Sequence, residues 1–99
     1  MTIHEHIARS NSVGNKVIPH VICEDGFTMS VQVGDHAYST PREYGAESYD
    51  CVEIGFPSQE ESLIKFWAED HNDYVNTVYP YVPINIVEQV IEKHGGIVG

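Results

Sequence analysis

The sequence predicts an α+β domain: a four-stranded antiparallel meander with two helices packed on one face and a short extra edge strand. Three observations carry that prediction. Two turn dipeptides, Asp25-Gly26 and Gly34-Asp35, punctuate runs of β-forming residues. Between them, "FTMSVQV" alternates apolar and polar side chains with period two. Near the end of the chain, Val87, Val90, Ile91 and His94 recur at helical spacing, after Pro83 and before Gly95-Gly96, which stop a helix.

Taken in order, residues 1–16 read as an N-terminal arm and residues 17–99 as one α+β domain. Met1 to Ile7 fits a short strand or a flexible segment, and Gly14-Asn15 interrupts any pattern. "VIPHVIC", from Val17 to Cys23, is the first strand, with Pro19 confining it to an edge. A two-residue turn at Asp25-Gly26 sets Ile22 opposite Met29. A second turn at Gly34-Asp35 sets Val31 opposite Tyr38 and makes "HAYST" the third strand. Pro41 to Asp50 is a loop, and "CVEIGFP" returns as the fourth strand with Val52, Ile54 and Phe56 on one face. In this register Ile22, Met29, Val31, Tyr38, Ile54 and Phe56 face the core. Val21, Cys23, Thr28, Ser30, Gln32, Ala37, Ser39, Cys51 and Glu53 then form a hydroxyl-rich outer face. Ser58 with Glu61 has the form of a capping box opening a helix whose apolar stripe is Leu63, Ile64, Phe66 and Trp67. "TVYPYVP" is the short edge strand.

The composition excludes several classes. The 99 residues suit a single core, and a 41% apolar share argues against disorder. No apolar run exceeds three residues, so no segment reads as a bilayer span. The start, "MTIHEHIARSNS", has no apolar stretch of the secretory kind. A cytoplasmic location is expected, with Cys23 and Cys51 as reduced thiols on the outer face of non-neighbouring strands. Fifteen acids against five bases give a formal charge of −10. That repels nucleic acid and anionic membranes and favours a basic protein partner.

Catalytic and metal-binding motifs are weak. His4 and His6 form an H-x-H pair that would share one side of a strand. His20 and His36 fall on the core face and His71 in a polar break, and no C-x-x-C or H-x-x-x-H spacing assembles a zinc site. His94 sits near a helix C-terminus, where a cation is favoured. There is no nucleophile elbow, and Glu24 and Asp25 beside Cys23 raise rather than lower its thiol pKa. Gly34, Gly45 and Gly55 make no phosphate cradle. No catalytic residue, metal or cofactor is therefore expected.

Between Glu43 and Asp73 lie nine acids and one base, Lys65. Glu60 and Glu61 fall in the first turn of the expected helix, where the macrodipole stabilises them; Glu69, Asp70 and Asp73 fall at its unfavourable end. Self-repulsion makes such clustering costly unless it serves contact. The candidate partner-binding residues are therefore Glu43, Glu47, Asp50, Glu69, Asp70 and Asp73, expected side by side on an anionic band. The alternative is a merely solvated acidic face.

The stretches "DGFTMSVQVG", "YDCVEIGFPS" and "TVYPYVPINIVEQVIEKHGG" resemble small proteins of tailed bacteriophages and prophages. The resemblance spans most of Ile22 to Gly96 and carries no catalytic residues. It implies a non-enzymatic inhibitor of a host defence or nucleic-acid-binding protein, similar to anti-CRISPR proteins, acting in the host cytoplasm without binding nucleic acid itself. Against it, dedicated DNA mimics are usually more acidic along their whole length. Two alternatives remain open at this point: a phage accessory or ligand-binding module using its outer sheet face or a homodimer interface, and a small metal-dependent hydrolase.

Overall fold

The computed structural model describes residues 1–12 and 17–99; the Gly14-Asn15 break lies outside the described residues. Two α-helices and a four-stranded antiparallel sheet form one α+β domain. The elements run α1 (Ile3–Ser12), β1 (Val21–Ile22), β2 (Thr28–Gln32), β3 (Cys51–Gly55), β4 (Val78–Pro83) and α2 (Ile84–Lys93). The sheet order is β1-β2-β3-β4. No helix among the described residues is long and apolar enough to cross a membrane.

The chain start is a helix, not an arm or a strand. Thr2 Oγ1 accepts the Glu5 N–H at 3.1 Å while Glu5 Oε1 accepts the Thr2 N–H at 2.8 Å, a reciprocal capping box. Ile3, His6, Ile7 and Ser10 recur at i, i+3, i+4 and i+7 and are all buried. Two of those four are polar, which disguises the stripe in sequence. Their polar atoms are satisfied: His6 Nε2 pairs with the Pro19 carbonyl at 2.9 Å, and the Ser10 hydroxyl donates to the His6 carbonyl. The Ile3 N–H donates to Glu88 Oε1 on α2. His4 instead accepts the Tyr49 N–H through Nε2, so the two histidines point to different surroundings, and the H-x-H reading is corrected.

The first hairpin closes one residue differently from expectation. Cys23 N–H donates to the Phe27 carbonyl, and Gly26, at φ +95°, completes a three-residue loop of Glu24, Asp25 and Gly26. Val21 therefore lies opposite Met29, and Ile22 opposite Thr28. A one-residue slip exchanges the faces. Val21 and Cys23 are core, whereas Ile22 is exposed, the reverse of the sequence expectation. The strand itself shrinks to Val21–Ile22, with Ile18 held through both its backbone groups by the Gln32 side-chain amide.

"HAYST" is no strand. After β2 the chain turns at Gly34 and folds back, so β2 pairs directly with β3 through Val31 and Ile54. Thr40 makes only an isolated bridge to Cys51. Tyr38, Phe56 and His36 are exposed, as is His20, correcting their core assignment. "TVYPYVP" is an edge strand as expected, but a full member of six residues. Tyr79 and Val82 both point inward although three apart; an irregularity at Pro80-Tyr81, with Tyr81 at φ +53°, allows it.

α2 matches its pattern. Pro83 precedes it, Gly95 and Gly96 take positive φ after it, and Val87, Val90 and Ile91 are buried in one cluster with Met29, Val31, Ile54, Ile3 and Ile7. The expected helix from Ser58 to Trp67 is absent: only a 3₁₀ turn, Lys65–Trp67, forms there.

Candidate interaction surface

The segment from Ser58 to Thr77 is shaped by tertiary demands on its polar groups. Ser58 Oγ accepts the Thr28 N–H at 3.0 Å instead of capping a helix. Glu61, expected in the first turn of a helix, is instead 1% exposed in the interior. Its Oε1 lies 2.7 Å from His94 Nε2, and its Oε2 accepts from Lys93 Nζ and the Leu63 N–H, both at 2.9 Å. The other imidazole nitrogen, His94 Nδ1, is 2.6 Å from Asp25 Oδ2, and the Phe27 ring stacks on the imidazole at 4.1 Å. Burial works against the His94 charge, but the two carboxylates outweigh it and raise its pKa above the ordinary histidine range. Burial opposes the Glu61 charge as well, yet bonds from Leu63 N–H, His94 and Lys93 hold its pKa low. Asp25 is lowered by the Phe27 N–H and by His94. The arrangement ties the β1–β2 loop, the 58–64 segment and the end of α2 together. Sequence reasoning missed it because its members are far apart in the chain. The one available hint was a histidine in the last turn of a well-formed helix.

With Glu61 turned inward, the 3₁₀ turn presents its aromatic ring outward. Phe66 is 82% exposed, its ring edge-on to Trp67 at 5.2 Å, while Ile64 and Ala68 on either side are buried. The adjoining loop is fixed at many points. Glu69 N–H donates to the Val78 carbonyl, Asp70 N–H donates to Thr77 Oγ1, and the Tyr79 hydroxyl donates to the Tyr74 carbonyl. Lys65 Nζ lies 4.8 Å above the Tyr74 ring and 2.8 Å from Glu60 Oε1. Burial pushes the Tyr79 phenol up to about 12, so it remains a donor.

All six predicted contact acids are exposed, but they form two groups. Asp50 adjoins Cys51, which pairs with Pro83 at one end of the β3–β4 ladder. Glu69 is bonded to Val78, which pairs with Gly55 at the other end. At about 3.3 Å per residue, the four steps from Cys51 to Gly55 separate the ends of the ladder next to Asp50 and Glu69 by roughly 13 Å. Asp50 and Glu69 are therefore not side by side. Two acids without an evident local role also acquire one. Asp70 Oδ1 accepts the Asn72 N–H at 2.8 Å, and Asp73 accepts from Asn76 Nδ2 at 3.0 and 3.2 Å.

The catalytic ingredients stay scattered. The Ser30 hydroxyl is taken by Gln32 Nε2 at 2.9 Å rather than by a base. Among the described residues no three His, Cys, Asp or Glu side chains are placed to hold a metal ion. Both cysteines are free. Cys23 is buried and Cys51 half-buried, and desolvation, then Asp25 or Asp50 respectively, raises their pKa values. No protein-family model, curated protein or solved structure matches the chain.

Proposed function

We propose that the chain is a non-enzymatic interaction protein of the phage anti-defence kind. In this reading it inhibits a basic, nucleic-acid-binding host protein by direct contact, as anti-CRISPR proteins do, and works in the host cytoplasm. The observation that carries this reading is Phe66, 82% exposed on a 3₁₀ turn, with the exposed acids Glu60, Glu69, Asp70 and Asp73 within seven residues of it in the chain. An exposed aromatic with an acidic rim suits a partner that offers an apolar pocket among lysines and arginines. The loop's internal hydrogen bonds reduce the ordering entropy lost on association. Of the two acidic groups, Glu69, Asp70 and Asp73 follow this anchor closely in the chain. Glu43, Glu47 and Asp50 precede β3, with Asp50 at the far end of the ladder, and add long-range attraction.

The test is co-purification from host lysate, read by mass spectrometry, with three proteins: wild type, Phe66→Ala, and the isosteric triple Glu69→Gln, Asp70→Asn, Asp73→Asn, which keeps the turn acceptors. A basic partner held by wild type at low ionic strength should be lost in both variants and weaken with added salt. Retention of that partner by both variants, with unchanged melting curves, would refute the reading.

A further inference from the structure

The outer face of the sheet is not flat. The 34–38 segment folds onto it, with Tyr38 N–H donating to Glu53 Oε1 at 3.3 Å and the Tyr38 carbonyl accepting the Tyr81 N–H at 3.1 Å. What remains is a groove of about 290 Å³ floored by Ser30, Glu53 and Gly55 and walled by Tyr44, Phe56 and Val78. Gly55 keeps the floor low: a Cβ there would fill space 3.7 Å from Ser30 Cβ and Val78 Cγ1. The polar groups lining it are the Glu53 carboxylate, with one oxygen oriented by Tyr38, the Ser30 hydroxyl, whose oxygen accepts from Gln32 Nε2 and keeps a second lone pair, the Gln32 amide, which is bonded to Ser30 and to both backbone groups of Ile18, and the His36 ring. The walls bring two aromatic rings and a valine. Arg42, the nearest cation in sequence, is engaged elsewhere. It donates to the Ala37 and Asp35 carbonyls and lies 5.5 Å over the Tyr38 ring.

We infer that this groove takes the side chain of an arginine presented by the basic partner, its guanidinium on Glu53 and Ser30 and its plane and stem against Tyr44 and Phe56. Arginine fits better than lysine because a planar, weakly hydrated cation both stacks on rings and forks onto a carboxylate. A volume near the lower end of ligand pockets suits one side chain rather than a folded ligand. Val78, which lines the groove, accepts the N–H of Glu69 in the acidic loop, so one partner reaches both places. The inference rests on the proposed function for the partner's positive charge, but not on contact at Phe66.

The experiment is a titration of the full, ¹⁵N-labelled chain with acetyl-Gly-Arg-Gly-amide, followed by amide shifts, alongside the lysine and citrulline versions of the peptide. The arginine peptide should give saturable shifts at Ser30, Glu53, Gly55 and Phe56, and the citrulline peptide none. Glu53→Gln, which keeps an acceptor for Tyr38 N–H, should weaken binding at least tenfold, and Gly55→Leu should abolish it without unfolding the chain. Phe66→Ala should leave this titration unchanged, so failure at the acidic patch and failure at the groove are separable. The inference is overturned by shifts confined to the Glu69–Asp73 loop, by equal binding of the citrulline or lysine peptide, or by full binding to folded Gly55→Leu.

Discussion

Replacing Glu61 by alanine should be among the most damaging single changes to this fold, and the damage should have a pH signature. Glu61 is 1% exposed and receives three hydrogen bonds, from His94, Lys93 and the Leu63 N–H. Charge-assisted bonds are worth about 1.5–3 kcal/mol each when buried, and an orphaned backbone donor costs about 1–3 kcal/mol. Lys93 is half in solvent, so its share is below about 1 kcal/mol. The total for breaking a buried charge pair of this kind is about 3–5 kcal/mol. A domain of 99 residues has about 5–15 kcal/mol to lose. At a urea slope of about 1.5 kcal/mol per molar, the unfolding midpoint should fall by about 2–3 M. Glu60→Ala, one residue earlier and exposed, should cost less than about 1 kcal/mol. The pH dependence has two limbs. His94 is raised above its ordinary 6.5, so its contribution is complete below that value and fades as pH rises through the folded-state pKa. Glu61 and Asp25 are lowered from 4.5 and 3.8, so theirs is complete above those values and fades as pH falls. The network should therefore contribute most at about pH 5–6. In Glu61→Gln, His94 keeps one anionic neighbour, so the decline above that window should flatten relative to wild type. If Glu61→Ala shifts the midpoint no more than Glu60→Ala, or if the wild-type and Glu61→Gln stability profiles are parallel from pH 5 to 8, this account of the network is wrong.

Two further outcomes test the packing. Ile91→Ala should cost about 2–5 kcal/mol in urea unfolding, since Ile91 is 4% exposed, whereas Ile22→Ala, on the exposed face of β1, should cost under about 1 kcal/mol. Both thiols should titrate in denaturant without prior reduction. In the native protein Cys51 should react before Cys23, and both slowly at neutral pH because both pKa values are raised; rapid native labelling of Cys23 would contradict its burial.

How much of this was legible depended on whether a signal was local. α2 was readable because its stripe is uniformly apolar and Pro83 and Gly95 mark its ends. The α+β class, β2, β3 and the β4 edge strand are legible from alternation and turn residues. The Ser/Thr-x-x-Glu pattern occurs at Thr2–Glu5, at Ser58–Glu61 and at Thr40–Glu43, and only the first opens a helix. The second is dismantled by Thr28, which takes the Ser58 hydroxyl, and by His94, thirty-three positions away from Glu61. Nothing near Ser58 announces either partner. The hairpin shows the same limit at finer scale. Asp25-Gly26 does mark the turn, but Asp25 Oδ1 accepts the Phe27 N–H and its other oxygen holds His94, which favours the three-residue loop. One residue of difference then exchanged Ile22 for Val21 in the core.

The same long-range bonds decide how the acidic surface is to be understood. Asp25 and Glu61 belong to the His94 network, Glu5 caps α1, Glu88 receives the Ile3 N–H, and Glu53 holds Tyr38. These carboxylates each have a role in folding. Asp70 shapes its turn through one carboxylate oxygen and Asp73 through both, and both residues still face solvent. Structure explains their side-chain type but not the Phe66 ring beside them. A turn needs an Asx acceptor, which asparagine supplies equally well, and a 3₁₀ turn has no need of an exposed phenylalanine. An apolar ring of that size left 82% in water forfeits burial worth about 1.5–3 kcal/mol. The Phe66 ring meets the edge of Trp67, a contact that leaves most of it in water. Charge that doubles as a turn former and an aromatic that serves no core meet on one fixed loop. That combination, rather than the overall charge of −10, is the ground on which partner contact is proposed at this end of the sheet.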